Sequence, residues 1–400
     1  MARWVTQGCS ARPATRLAPM RGRVRFDRNE LAGSFGDIGT DLPLLIAIIP
    51  AAGLDAANAF VVFGLLQILT GLVYGLPMPM QPLKAMAIIV ITQKIAGDVL
   101  FGAGLAIAAI MLLLSLSGVL DWLTRAIPRC VVRGIQLGLG VSLASLALKN
   151  YLPAMGLPGY ALAGACFLVI VLLWGNRRFP AALVVIGAGL AYAAFSMDGS
   201  TVAAGVRVYV PQVHTPTWDA ILTGLIVLAL PQLPLSISNS VIATNQTLRD
   251  LFPERAISVR RIGLTYAGAN VIAALLGGIP VCHGCGGLAG HHAFGARTGG
   301  SVVIYGLMYL TLGLFFGGAV EHIVSAFPLP VLGVILLFEA AALMVLIRDV
   351  ATETRGLLIA MLVGMIAFGV TQGFVVGLVV GSAVYYLWEW RARHRGAGAG

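Results

Sequence analysis

Charge is scarce in this sequence. Only 10% of its 400 residues are Asp, Glu, Lys or Arg, and the acids number 16. A soluble domain carries about 25% charged residues, so a water-facing globule is excluded. Cysteine is sparse too. Cys9, Cys130, Cys166, Cys282 and Cys285 are scattered or lie in apolar stretches, which excludes the disulfide framework of a small secreted domain. The first 25 residues are basic and lack an apolar core, so no cleavable signal peptide is expected. Strict apolar–polar alternation is missing as well, which argues against a strand barrel.

What the sequence does have is apolar residues, at 58%, in runs of membrane-spanning length. The expected fold is an all-α polytopic membrane protein with fourteen transmembrane segments. The first lies near 30–50, the third near 82–97, the eighth near 219–247, the tenth near 285–298 and the twelfth near 329–347. The 50 glycines suit helices whose backbones approach closely in lipid.

A net charge of +10 invites nucleic acid as a partner, but its distribution points elsewhere. With fourteen spans and both termini inside, all but four of the 26 Lys and Arg fall on the cytoplasmic side. The exceptions are Lys94, Lys149 and Arg207 outside and Lys84 within the membrane. That is the positive-inside bias. It predicts an integral protein of the inner or plasma membrane with cytoplasmic termini, the lipid bilayer as its surroundings and no nucleic-acid partner.

The chain repeats itself at an offset of 203. Residues 72–87, "LVYGLPMPMQPLKAMA", lie without gaps on 275–290, "LLGGIPVCHGCGGLAG", so that Pro77 meets Pro280, Gln81 meets Gly284 and Lys84 meets Gly287. Seven spans per repeat, an odd number, invert the second half against the first. The expected organisation is a basic cytoplasmic tail at 1–25, taken as disordered, a first seven-span repeat at 26–197 and an external linker at 198–218. A second repeat at 219–390 and a cytoplasmic tail at 391–400 complete it. Inverted halves with interrupted segments at matching places point to a secondary-transporter binding site.

Pro77, Pro79 and Pro82 cannot share one regular helix. Spans three and ten are therefore expected to be broken, each an extended piece followed by a short helix. Their N-termini would face each other and present N–H groups and positive dipole ends to an anion. Lys84 sits in the first turn, where a cation is unfavourable unless an anion binds. The alternatives are pairing with Asp37 or Asp41, or snorkelling. Gln81 is read as a donor to the substrate. Gly284, Gly286 and Gly287 would let backbone approach it, and Gln232, Ser236 and Asn239 would line the opposite wall.

Glu30, Ser34, Asp37 and Asp41, spaced four, three and four, would share one face of the first span. Ser34, Asp37 and Asp41 either support interrupted backbone or couple transport to protons; Glu339 in span twelve is a further coupling candidate. His291, His292 and Arg297 are read as an inner gate or anchor. Cys282, His283 and Cys285 fit no closed four-ligand zinc set, so neither a metal nor a cofactor is expected. A membrane enzyme built on that cluster would lack a soluble catalytic face.

Four motifs together resemble the molybdate transporter family, a relative of the sulfate permeases: "NELAGSFGDIGTDLPL" at 29–44, "GLPMPMQPLKAMA" at 75–87, "LPQLPLSISNSVIATNQTLRDLFP" at 230–253 and "IPVCHGCGGLAGHHAFGARTGGS" at 279–301. The likeness covers about residues 26–390. One departure is "HHAFGAR", where an aromatic-rich "YRFGAR" is expected. The resemblance implies the seven-plus-seven inverted repeat, substrate held between spans three and ten, and a core (spans 1–4 and 8–11) moving against a gate (spans 5–7 and 12–14). It implies transport of molybdate, a tetrahedral dianion, by alternating access. The chain stops ten residues after Trp390, so the regulatory domain of larger sulfate permeases is expected to be absent. Two other substrates stand beside molybdate: sulfate on the same fold, and a proton-coupled nucleobase. The second needs a carboxylate where Gln81, Lys84, Gly284 and Gly287 stand. A homodimer is compatible with this reading.

Overall fold

The computed structural model describes residues 24–173, 181–195, 213–255, 257–370 and 373–396. Most of the expected N-terminal tail and of the 198–218 linker, and the last four residues of the chain, lie outside them. The protein is predominantly helical, and seven of its described helices are long and apolar enough to cross a membrane. In chain order the helices and strands used below are α1 (Arg28–Gly33), α2 (Ile38–Ala52), α3 (Ala56–Tyr74), β1 (Met80–Pro82), α4 (Lys84–Gln93), α5 (Gly97–Leu116), α6 (Val119–Ala126) and α7 (Arg129–Leu146). They continue with α8 (Gly156–Leu172), α9 (Ala181–Phe195), α10 (Trp218–Leu251), α11 (Val259–Leu275), β2 (Val281–His283) and α12 (Cys285–Ala293). Last come α13 (Gly300–Ala326), α14 (Leu329–Val345), α15 (Thr354–Gly369) and α16 (Gly373–Gly396).

Local chemistry explains the helix ends. Asp55 Oδ1 accepts from Asn58 N at 2.7 Å and starts α3; Gly75, at φ 61°, ends it in the left-handed conformation that glycine adopts without strain. Ser258 starts α11 in the same way, its Oγ accepting from Arg261 N at 3.2 Å. The first apolar segment departs from expectation. It is not one helix but two, α1 and α2, separated by a turn at Ser34–Asp37. The spacing of Glu30, Ser34, Asp37 and Asp41 therefore marks no continuous face. Gly36 explains the break: a Cβ there would strike the backbone of Gly290 and His291, so α12 crosses directly over the turn.

The prolines act as the sequence requires. Residues 76–83 run extended, and Met80–Pro82 pairs antiparallel with Val281–His283, with Met80 opposite His283 and Gln81 opposite Cys282. The helices that follow, α4 and α12, have 10 and 9 residues. At about 1.5 Å per residue each spans about 15 Å, half of a hydrocarbon core.

Packing is reciprocal at the offset of 203. α3 packs along α13, and α11 packs along α5. Asn58 Nδ2 on α3 donates to Leu276 O at 2.6 Å, while Arg261 Nη2 on α11 donates to Val73 O at 2.9 Å. Each partner of the first pair sits 203 residues from one of the second. Two buried amides, Gln67 and Asn270, also lie 203 residues apart. Gln67 brackets Met80, donating to its O at 2.7 Å and accepting from its N at 2.9 Å. Asn270 brackets Val281 in like fashion, at 2.7 and 2.9 Å. Each extended piece is thus pinned by a side chain from the preceding helix, which satisfies backbone polar groups that lipid could not. α3 and α13 meet through glycine: a Cβ on Gly64 would lie 2.6 Å from Gly306 O. A second set of contacts joins α7 to α14 and α15, and α16 to α15.

Candidate functional site

The two short helices begin within one residue of the β1–β2 ladder, so their N-termini converge there. Neither cap residue, Leu83 or Gly284, bonds its own helix through a side chain. The two ends are completed differently. Gln232 on α10 places Oε1 2.9 Å from Ala85 N and 3.2 Å from Met86 N, capping α4 from across the bundle. Its Nε2 donates to Ser236 Oγ at 3.1 Å, and Ser236 bonds Tyr266 OH at 2.8 Å. Gln232, expected on the substrate wall, is instead committed to α4: its oxygen is the acceptor that two buried N–H groups need.

Gln81 is likewise committed. Its Nε2 donates to Asp37 Oδ1 at 2.6 Å in a buried contact. The glycines facing these side chains are explained by them. A Cβ on Gly284 would collide with the Gln81 amide, and one on Gly287 with the Asp37 carboxylate and with Pro79. Gly284 and Gly287, read as room for substrate, are room for Gln81 and Asp37. Gly286 differs from both: nothing lies within 4 Å of a Cβ built on it. Gly286 is exposed, so open space lies beside the first turn of α12. Lys84, half-buried, stands in the first turn of α4.

Asn239 lies in a π-helical stretch of α10, Ser236–Ala243, that follows Pro231 and Pro234. Such widened turns are frequent at functional sites. Its Oδ1 accepts from Cys285 Sγ at 3.2 Å and from Gln136 Nε2 at 3.5 Å. Gln136 in turn accepts from Arg133 Nη1 at 2.8 Å, and Arg133 forms an ion pair with Asp349. Sequence reasoning missed Gln136, Arg133, Gln67 and Asn270. The available signals were an amide inside an apolar helix and, for the last two, a shared place in the repeat.

The acids of the first segment are buried. Asp41 accepts from Tyr305 OH at 3.2 Å, and Tyr305 contacts Tyr309 OH at 3.2 Å. Ser34 bonds its own chain at Leu31 O, 2.7 Å away. Glu30 accepts from Arg297 N, Thr298 N and Ser301 N at 2.9 to 3.0 Å and caps α13. The side chain of Glu339 lies outside the described residues. The predicted inner-gate trio divides. His292 lies edge-on to Phe252 and its carbonyl accepts from exposed Arg297 at 2.8 Å. His291 is turned into the core against Tyr305, and neither ring nitrogen has a hydrogen-bond partner among the described residues. His283 Nε2 pairs with Thr265 Oγ1 at 2.8 Å. No three His, Cys, Asp or Glu side chains among the described residues come together to hold a metal.

A family model described as "Molybdate transporter of MFS superfamily" matches residues 29–143 and 224–343. Molybdate transporter 2 of Arabidopsis thaliana is 32% identical over 92% of this chain and 90% of its own. Molybdate transporter 1 of Chlamydomonas reinhardtii is 28% identical over 89% of this chain and 91% of its own. Among solved structures, the transmembrane domain of the cyanobacterial bicarbonate transporter BicA superposes with a TM-score of 0.65 at 17% identity, covering 89% of this chain and 96% of that one. Murine Solute Carrier 26 family member A9, an anion transporter in the inward-facing state, superposes with a TM-score of 0.67 at 14% identity, over 91% and 68%. These likenesses establish the fold.

Proposed function

The chain belongs to the molybdate transporter family, and on that premise we propose that it is a secondary transporter of molybdate working by alternating access. The observation that carries the reading is the open space at Gly286, in the first turn of α12, with the Lys84 ammonium on the facing half-helix. N–H groups and dipole ends suit an anion there, and a charge at membrane depth is functional by default. Substrate-facing groups are then Lys84, the backbone at Gly286, and Asn239 beside Cys285. Gln81, Gln232, Gly284 and Gly287 support them.

Fourteen spans in two inverted repeats of seven account for the contacts exchanged at the offset of 203, and the charge bias orients both termini to the cytoplasm. Coupling to protons falls to Asp41, whose carboxylate shares hydrogen bonding with Tyr305, or to Asp37. An Asp41→Asn protein whose uptake keeps the parent's pH profile would remove Asp41 from that role.

The test uses purified protein in liposomes and labelled molybdate. Lys84→Met keeps the stem and loses the charge. A hydrogen bond to a charged group contributes about 1.5–3 kcal/mol, so affinity should fall about 10- to 150-fold at 1.4 kcal/mol per decade. Unchanged affinity in a folded Lys84→Met protein would overturn the site. Sulfate that competes as well as unlabelled molybdate would move the substrate to sulfate.

A further inference from the structure

A dianion before Gly286 would not meet an uncompensated cation. The Asp37 carboxylate lies against Gly287, one residue away, and brings negative charge to the same wall. Two negative charges close to an acid need a second cation. α7 carries one. Arg133 lies half-buried and donates to Gln136 Oε1 at 2.8 Å; Gln136 donates to Asn239 Oδ1, the same oxygen that accepts from Cys285 at the first position of α12. Three hydrogen bonds thus connect Arg133 to the mouth of the open space, and Cys285 is within electrostatic reach of both Lys84 and Arg133. The present ion partner of Arg133, Asp349, is 44% exposed. Exposed pairs are weak, about 0–1 kcal/mol, so an anion in a drier place can outcompete it.

We propose that Arg133 is the second cation of the anion site, held by Asp349 when the site is empty and exchanging that carboxylate for the oxyanion when it fills. The inference rests on the transport reading above. It makes α7 a sensor of occupancy: the guanidinium leaves α14's end and turns toward α10 and α12, drawing the two packing groups together. Its planar fork suits two oxygens of a tetrahedral anion.

Molybdate binding to the purified full-length protein tests it. Arg133→Gln should weaken affinity about tenfold or more, and Arg133→Lys should recover part of the loss. Asp349→Asn removes the competitor and should tighten binding severalfold, an effect that vanishes in the Arg133→Gln, Asp349→Asn double variant. A purely structural ion pair would give the opposite sign for Asp349→Asn. If Arg133→Gln fails to fold, Asp349→Asn decides alone: unchanged or weakened binding overturns the proposal. Lys84→Met weakened with Arg133→Gln at the parent's affinity ends this inference and leaves the transport reading standing. A parent that binds neither molybdate nor sulfate ends both.

Discussion

The two halves of the site share a frame and divide the work. In the first, Pro77–Lys84 carries side chains: Gln81 reaches Asp37 and Lys84 stands in the first turn of α4. In the second, Pro280–Gly287 has glycine where the first has Gln81, Leu83 and Lys84, and two of those glycines are occupied by what the first half projects. Two full sets of side chains would not fit between helix starts tied by one short ladder. Two segments paired antiparallel can therefore build a site with one polar wall and one bare wall. The bare wall leaves space, and the polar wall sets the charge.

The largest expected effect breaks this complementarity. Gly287→Ala drives a methyl into the Asp37 carboxylate and Pro79, and Gly284→Ala does the same to Gln81. Overpacking a tight interior costs about 1–3 kcal/mol, and here it also breaks a buried charged hydrogen bond. Both variants should lose several degrees of thermal stability and all transport. Gly286→Ala is the contrast: melting should match the parent while molybdate affinity falls. Equal melting temperatures for all three alanine variants would refute the division.

Much of this frame was legible in advance. The prolines, the offset of 203 and Lys84 marked both broken segments, because proline and a charge in lipid have few permitted settings. The break at Ser34–Asp37 was not legible, since its cause is the crossing of α12 over Gly36, a contact between residues some 250 positions apart. Nor was the commitment of Gln81 and Gln232, because an amide reads identically whether it faces a ligand or a helix end.

A second comparison sets the two helix starts against each other. Among the described residues α4 alone borrows a cap from α10, so Gln232→Ala strands two buried N–H groups at about 1–3 kcal/mol. It should lower the melting temperature without moving residues at α12. Gln232→Glu, which keeps the acceptor, should be milder on stability and repel the anion. Hydrogen exchange at Ala85 and Met86 reads the cap directly; protection unchanged in Gln232→Ala would show that α4 does not depend on it.

The smallest effect concerns the exchanged contacts. Asn58→Ala removes a buried donor to Leu276 and should cost about 1 kcal/mol. Arg261→Ala removes an exposed one to Val73 and should cost a few tenths. Denaturation of both in one detergent measures the difference. Equal losses would mean that the two repeats share burial as well as geometry.

By itself the sequence determined the membrane-spanning class, the two interrupted segments, their correspondence at the offset of 203 and the presence of one cation in the first of them. Those follow from hydropathy, proline geometry and the cost of charge, all of which act locally along the chain. Only the tertiary structure decided which polar groups remain for a ligand. Gln81, Asp37, Gln232 and two of the glycines satisfy one another across the bundle, while Gly286, Asn239 and the Arg133 chain meet around the open space. That allocation depends on distances between elements up to 203 residues and more apart, and a buried polar group goes to whichever partner packing brings within about 3 Å.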